Sequence, residues 1–151
     1  MNKILIHAHS GLRWVVLILM LMAIINAARS MSSGRYEKKD KMINLFAMIS
    51  LHIQLLIGLI LYFTSSKVAF VDHWMSSDTA QGMFRFFNLE HVFGMVVAII
   101  LVTIGRSKAE KKLKGTRDKH RRILINYLIA LIIILITIPW PFRTHLGGAW
   151  F

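Results

Sequence analysis

Four long apolar runs, at residues 4–28, 42–63, 84–105 and 123–140, constrain the fold of this 151-residue chain more than any other feature. Each run is long enough for a helix that crosses the hydrocarbon core of a bilayer, which takes about 20 residues. Backbone polar groups find no water in that core, so the runs are expected to form helices. The sequence therefore predicts an all-α integral membrane protein, an up-down four-helix bundle that forms one domain over residues 1–151.

The basic residues are concentrated in two loops. Of nineteen Lys and Arg residues, five lie in residues 29–41 and nine in residues 106–122. Loops rich in Lys and Arg stay on the cytoplasmic side of a membrane. Both loops are therefore predicted to be cytoplasmic, and both termini and the loop at 64–83 to face the outer, periplasmic side. The formal charge is +12, and the basic residues interrupt apolar runs instead of forming a patch on a water-soluble scaffold. We therefore expect the lipid bilayer as a partner and no nucleic acid.

Histidine is the main candidate for a metal-binding side chain in this sequence. The absence of cysteine excludes disulfides, thiolate nucleophiles and iron–sulfur clusters, whereas seven histidines are present. Ionisable residues inside membrane spans are costly, and each one is a functional hypothesis. The residues of this kind in the apolar runs are His7, His9, Arg13, His52, Glu90 and His91.

Depth along the predicted helices selects a pair of histidines. At a rise of 1.5 Å per residue, His9 lies roughly 8 Å and His91 roughly 8–10 Å below the outer ends of their helices. His52 lies roughly 16 Å below the outer end of the second helix. Two imidazoles on opposite sides of one iron are the ligands of a b-type haem. His9 and His91 are the preferred axial ligands of one haem b, and His52 with His91 is the competing pair.

Other polar residues suggest further roles. Arg13 follows His9 by four positions and shares its face, so it is expected to bind haem propionates, a quinone or another anionic head group. The alternative is an ion pair between Arg13 and Glu90. Gly94, one turn below His91, is expected to let a porphyrin edge approach. A zinc site formed by His9, His52 and His91 is the alternative metal site, but the depth of His52 argues against it.

The other four histidines are expected to lie outside any ligand set, and His73 and His145 are predicted to face solvent or lipid headgroups. His7 is two positions from His9, about 200° round the helix, and is predicted to be an interfacial residue. His120, at the mouth of the fourth run, is predicted to be a titrating interfacial residue. We therefore predict one haem and not two.

Four segments together resemble a known group of proteins. The chain resembles small four-helix membrane proteins of Bacteroidetes that are described as cytochrome b-like, over nearly its whole length. The resemblance implies a haem-binding bundle in a bacterial cytoplasmic (inner) membrane, crossed several times by the chain. The segments that carry it are residues 9–14 (HSGLRW), 52–58 (HIQLLIG), 85–91 (RFFNLEH) and 138–143 (IPWPFR).

A more distant similarity is to the HemJ-type protoporphyrinogen oxidases and to the copper-resistance D and SirB-like bundles. His9, and Gly105-Arg106 followed by lysines, are similar to features of the HemJ type. That enzyme type carries a lysine shortly after the histidine of its later helix, whereas residues 92–95 here read VFGM. The similarity therefore implies the haem-binding bundle alone.

The leading functional hypothesis is electron transfer by a b-type cytochrome between a quinol and a partner protein. One alternative is an accessory subunit without enzymatic activity in a larger membrane complex. Another is a proton-coupled carrier in which His52, Gln54 and Glu90 line a pathway, which would require a homodimer because one chain has too few helices for two repeats.

Overall fold

The computed structural model describes residues 2–75, 79–148 and 150. Met1 and Phe151, the termini that are predicted to face outward, lie outside the described residues. A π-helix, Phe86–Glu90, joins α3 to α4, and a 3-10 helix, Thr144–Leu146, follows α5. The α-helices are α1 (Asn2–Ser30), α2 (Lys38–Thr64), α3 (Thr79–Arg85), α4 (His91–Lys111) and α5 (Thr116–Thr137).

Among the described residues, four stretches of helix are long and apolar enough to cross a membrane, as the sequence predicts. The third of them begins within α3 and continues through the π-helix and α4. The described residues form no β-strand, so the all-α prediction is confirmed. The four stretches are Lys3–Ser30, Lys38–Thr64, Gly82–Lys111 and Thr116–Thr137.

The limits of α5 differ from those of the fourth apolar run at both ends. Helix α5 begins at Thr116, seven residues before the apolar run, because charged residues can continue a helix beyond the apolar core. It ends at Thr137 and not at Trp140. Ile138 has extended backbone angles, φ −71° and ψ 132°, because the ring of Pro139 disfavours the helical conformation in the residue before it.

The helices are arranged so that each long helix has two neighbours. Helix α1 packs against α2 and α5, and α4 packs against α5 and α2, with α2 and α4 packing least closely. Small side chains bring helix backbones close together in membrane bundles. The buried small residues at these contacts include Ala23, Ala27, Ala47, Ala98, Ala109 and Ala130.

The two ends of the bundle differ in chemistry. We call the end that carries the residues around 29–41 and 106–122 the basic end. There Tyr36 donates a hydrogen bond to Glu110 Oε1 at 2.6 Å, and burial raises the pKa of the Tyr36 phenol well above its usual range. His120 donates through Nε2 to the Arg35 carbonyl at 2.8 Å and is 1% exposed. His120 is thus buried beneath the loop after α1, and its location at the membrane interface stays a prediction.

We call the opposite end the histidine end. It contains the start of α1, the last turns of α2, the π-helix and the end of α5. The segment after α5 folds back onto this end, where the Trp150 carbonyl accepts hydrogen bonds from Arg13 and Trp14.

We expect Gly105 to be needed for the contact between α4 and α5. A Cβ atom at Gly105 would lie 2.7 Å from the Asn126 Cβ, whereas one at Gly11 would have nothing within 4 Å. Gly105→Ala should therefore lower the free energy of unfolding by about 1–3 kcal/mol. Gly11→Ala should leave it unchanged or raise it by about 0.5–1 kcal/mol through helix propensity. Unfolding in detergent followed by circular dichroism measures both, and equal effects would contradict the packing described.

Candidate functional site

Two histidine rings from different helices meet at the histidine end. The ring centroids of His9 on α1 and His91 on α4 lie 6.4 Å apart, with their planes inclined at 69°. Two metal–nitrogen bonds of about 2.0 Å on opposite sides of one metal ion place the ring centroids of two imidazoles roughly 6 Å apart. The observed separation therefore suits a pair of axial ligands. The structure brings together the two residues that the sequence selects.

The backbone around His91 sets the position of its ring. The π-helix Phe86–Glu90 comes directly before it, and the His91 N–H bonds to the Phe86 carbonyl. Short π-helical segments occur frequently at functional sites. The Asn88 side chain within this segment also donates to the Ala69 carbonyl at 2.7 Å and accepts from the Ala69 N–H at 3.2 Å. The turn that carries His91 is thus tied to the loop after α2.

A carbonyl at the end of α5 fixes the tautomer of His91. The Nδ1 atom of His91 lies 2.7 Å from the Thr137 carbonyl oxygen. A carbonyl can only accept, so Nδ1 donates and the Nε2 lone pair of the neutral ring remains available. Metal-binding histidines commonly donate their other ring N–H in this way. The Thr137 carbonyl is available to His91 because α5 ends at Thr137 and no further helical turn supplies an N–H.

Gly94 has a different role from the predicted one. A side chain at this position would collide with the Thr137 side chain on α5, so Thr137 fills the space. The expectation that Gly94 faces a porphyrin edge is therefore wrong. Its lack of a side chain instead lets α5 approach α4 at the level where His91 bonds to Thr137.

His9 is held between α1 and α2. Gln54 on α2 donates to the His9 carbonyl at 2.8 Å, and a Cβ at Gly58 would lie 3.0 Å from the His9 Cε1. The His9 Nδ1 atom is buried without a hydrogen-bond partner. A buried polar atom in that condition costs about 1–3 kcal/mol unless a ligand or water satisfies it. His9 therefore supplies a nitrogen that is available to a ligand.

An apolar cavity of about 210 Å³ adjoins both rings. Its volume exceeds the roughly 150 Å³ that accommodates a benzene ring and is below the roughly 300–1,000 Å³ of pockets for larger ligands. The edge of a complete porphyrin would therefore have to extend between α2 and α4, the least closely packed neighbours. The apolar side chains of the lining include Val16, Leu51, Leu55, Val92, Met95 and Ile134.

Arg13 lines the same cavity, on the face that the sequence predicts. It is 8% exposed and donates to the Trp150 carbonyl at 2.7 Å. Its guanidinium carbon lies 5.5 Å from the Trp14 ring centroid and 5.7 Å from that of Trp140. A cation among aromatic rings is stabilised by their negative faces.

The alternative ion pair between Arg13 and Glu90 is absent from the described part of the chain. Glu90 bonds instead to Arg85 Nε at 2.7 Å. Arg85 precedes Glu90 by five residues, which is the hydrogen-bond spacing of a π-helix. The expected pair is therefore wrong because the π-helical turn gives Glu90 a partner in its own segment.

His52 lies apart from the other two predicted ligands. Its Nδ1 donates to the Met48 carbonyl in its own helix at 2.8 Å, and it is not among the residues that line the cavity. Among the described residues, no three histidines or acidic residues form a group that could hold a metal ion. The three-histidine zinc site is thus not formed there.

Comparisons with protein-family models, with curated proteins and with solved structures find no match for this chain.

Substitutions at Arg13 and Glu90 distinguish the observed Arg85–Glu90 ion pair from an ion pair between Arg13 and Glu90. Arg13→Gln should lower the free energy of unfolding by about 2 kcal/mol, because a buried charged donor is lost. Glu90→Gln and Arg85→Gln should each lower it by at most about 1 kcal/mol, because their ion pair is only half-buried. Unfolding in detergent, followed by tryptophan fluorescence, measures all three. If Arg13 and Glu90 were partners, Glu90→Gln would be as destabilising as Arg13→Gln.

Proposed function

We propose that this protein binds one haem b between His9 and His91 and transfers electrons between a quinol and a partner protein. The observation that carries the proposal is the pair of rings 6.4 Å apart beside an apolar cavity. Bound haem b supplies one-electron redox chemistry. His91 would hold the iron through Nε2, because its Nδ1 donates to the Thr137 carbonyl. His9, whose Nδ1 is buried without a hydrogen-bond partner, would supply the second imidazole ligand.

The residues around the pair support the same proposal. Apolar side chains from four helices line much of the cavity, and apolar surroundings favour neutral imidazole ligands. The hydrogen bond from Gln54 holds α1 against α2 and so maintains the position of His9. Arg13 places a cation on the cavity wall, where it is suited to a carboxylate of the cofactor or to a quinone oxygen.

We also propose that the chain forms an up-down bundle in a bacterial cytoplasmic membrane, with the histidine end and both termini on the periplasmic side. The distribution of basic residues supports this orientation, because five of the nineteen lie in residues 29–41 and nine in residues 106–122, both at the basic end. The resemblance to bacterial cytochrome b-like bundles supports the choice of membrane. The haem would then lie nearer to the periplasmic face.

Haem content tests the proposed ligands. Protein purified from haem-replete cells should show a Soret band that sharpens and shifts on reduction. His9→Ala and His91→Ala should each lose most of the haem, because one axial ligand is removed. His7→Ala, on the exposed face of α1, is the matched control and should retain it.

His52→Ala tells the two histidine pairs apart. Retention of haem in this variant supports His9 and His91 as the ligands. Its loss, together with retention in His9→Ala, would show that His52 and His91 are the pair. A wild-type protein without a Soret band would overturn the proposal.

Cysteine labelling tests the orientation in the membrane. The sequence has no cysteine, so only the introduced residue reacts. Ser66→Cys lies in the loop after α2 and Ser33→Cys in the loop after α1, and both serines are exposed. In intact cells without an outer membrane, a maleimide that does not cross membranes should label Ser66→Cys alone. After cell lysis it should label both variants. Labelling of Ser33→Cys alone in intact cells would reverse the proposed orientation.

A further inference from the structure

Lys67, a residue of the loop after α2, lies at the rim of the apolar cavity that adjoins the His9 and His91 rings. Its Nζ donates to the Gly147 carbonyl at 2.6 Å and to the Leu146 carbonyl at 3.4 Å. Gly147 has φ of 56°, in the left-handed region that favours glycine, and this turn ends the 3-10 helix. The chain after α5 thus turns so that two of its carbonyls meet the Lys67 ammonium.

One aromatic ring separates Lys67 from the histidine pair. The Lys67 Nζ lies 5.2 Å from the centroid of the Phe87 ring, and the Phe87 and His91 ring centroids are 6.2 Å apart. Phe87 and Lys67 both line the cavity that adjoins His91. A ligand that reaches from His91 to the rim would therefore meet this ammonium.

No acidic side chain of the described residues compensates the charge of Lys67. The ion pairs among these residues involve other groups, and no Asp or Glu lines the cavity. Burial lowers the pKa of the Lys67 ammonium, which is the effect of removing a charge from water without a counter-ion. An ammonium has three donors, and the two carbonyls accept from two of them.

We infer that Lys67 forms a carboxylate-binding site at the rim of the cavity, and that its ligand is a propionate of the haem held between His9 and His91. The carbonyl oxygens of Leu146 and Gly147 show that this ammonium donates to oxygen acceptors at the rim. A carboxylate oxygen accepts from an ammonium more strongly than a carbonyl does, because both groups are charged. The inference rests on the proposed function, and it adds a residue whose role the sequence does not reveal.

Titration with haemin and with its dimethyl ester tests the inference, because the ester has no free carboxylate. Protein expressed without haem is titrated in detergent, and the Kd is read from the Soret band. Wild-type protein should bind haemin more tightly than the ester. Lys67→Met should weaken haemin binding about tenfold and leave ester binding within about twofold, since one charged hydrogen bond is lost. Lys67→Arg should retain the preference for haemin.

Lys3→Met is the matched control, since Lys3 is exposed at the start of α1, and it should change neither Kd. The inference is overturned if Lys67→Met weakens haemin and ester equally, because Lys67 would then act on the fold alone. It is also overturned if this variant binds haemin as wild type does. The absence of a Soret change with either compound in wild-type protein would overturn the proposed function and this inference together.

Discussion

The hydrogen bond from His91 Nδ1 to the Thr137 carbonyl connects the fold of this protein to its site. It depends on the end of α5, where Pro139 and Pro141 stop the helix and leave the Thr137 carbonyl to a side-chain donor. It depends equally on the close approach of α4 and α5 at Gly94. A helix end inside an apolar bundle needs its carbonyls satisfied, and a histidine side chain meets that need here. The same bond fixes which ring nitrogen faces a ligand.

His9 is placed by a separate set of contacts. Gln54 and Gly58 on α2 bring the ring against the bundle interior, and one ring nitrogen remains without a partner. One histidine is thus oriented by a hydrogen bond and the other by packing. Both adjoin a cavity on the side where α2 and α4 pack least closely. This arrangement offers a ligand two ring nitrogens beside an apolar cavity of about 210 Å³.

The sequence predicts the helices and the histidine pair well because both follow from local regularities. Apolar runs of membrane length fold as helices, and the fixed rise of a helix sets His9 and His91 at comparable depth. The placement of Arg13 on the face of His9 follows from the four-residue spacing. The sequence also contains the signal for the end of α5, because Pro139 disfavours the helical conformation at Ile138.

The remaining features depend on contacts between distant segments or on irregular turns. Lys67 meets Gly147 across 80 positions, and His120 is buried by a loop 85 positions earlier, so neither contact has a periodic signal in the sequence. The π-helix changes the number of residues per turn just before His91 and brings Arg85 to Glu90. A pattern of α-helical periodicity does not predict such a turn. The sequence indicates that Gly94 leaves space for a ligand, but the Thr137 side chain, on a different helix, occupies that space.

The electron paramagnetic resonance spectrum of the oxidised, purified protein tests directly whether two histidines bind one haem, because it reports how many strong ligands the iron has. With His9 and His91 on opposite sides of one haem, the spectrum should be that of a low-spin, six-coordinate ferric haem. Its signal should integrate to about one iron per chain, in line with a single pair of ligands. A high-spin spectrum from a five-coordinate haem, or the absence of any haem signal, would contradict the account.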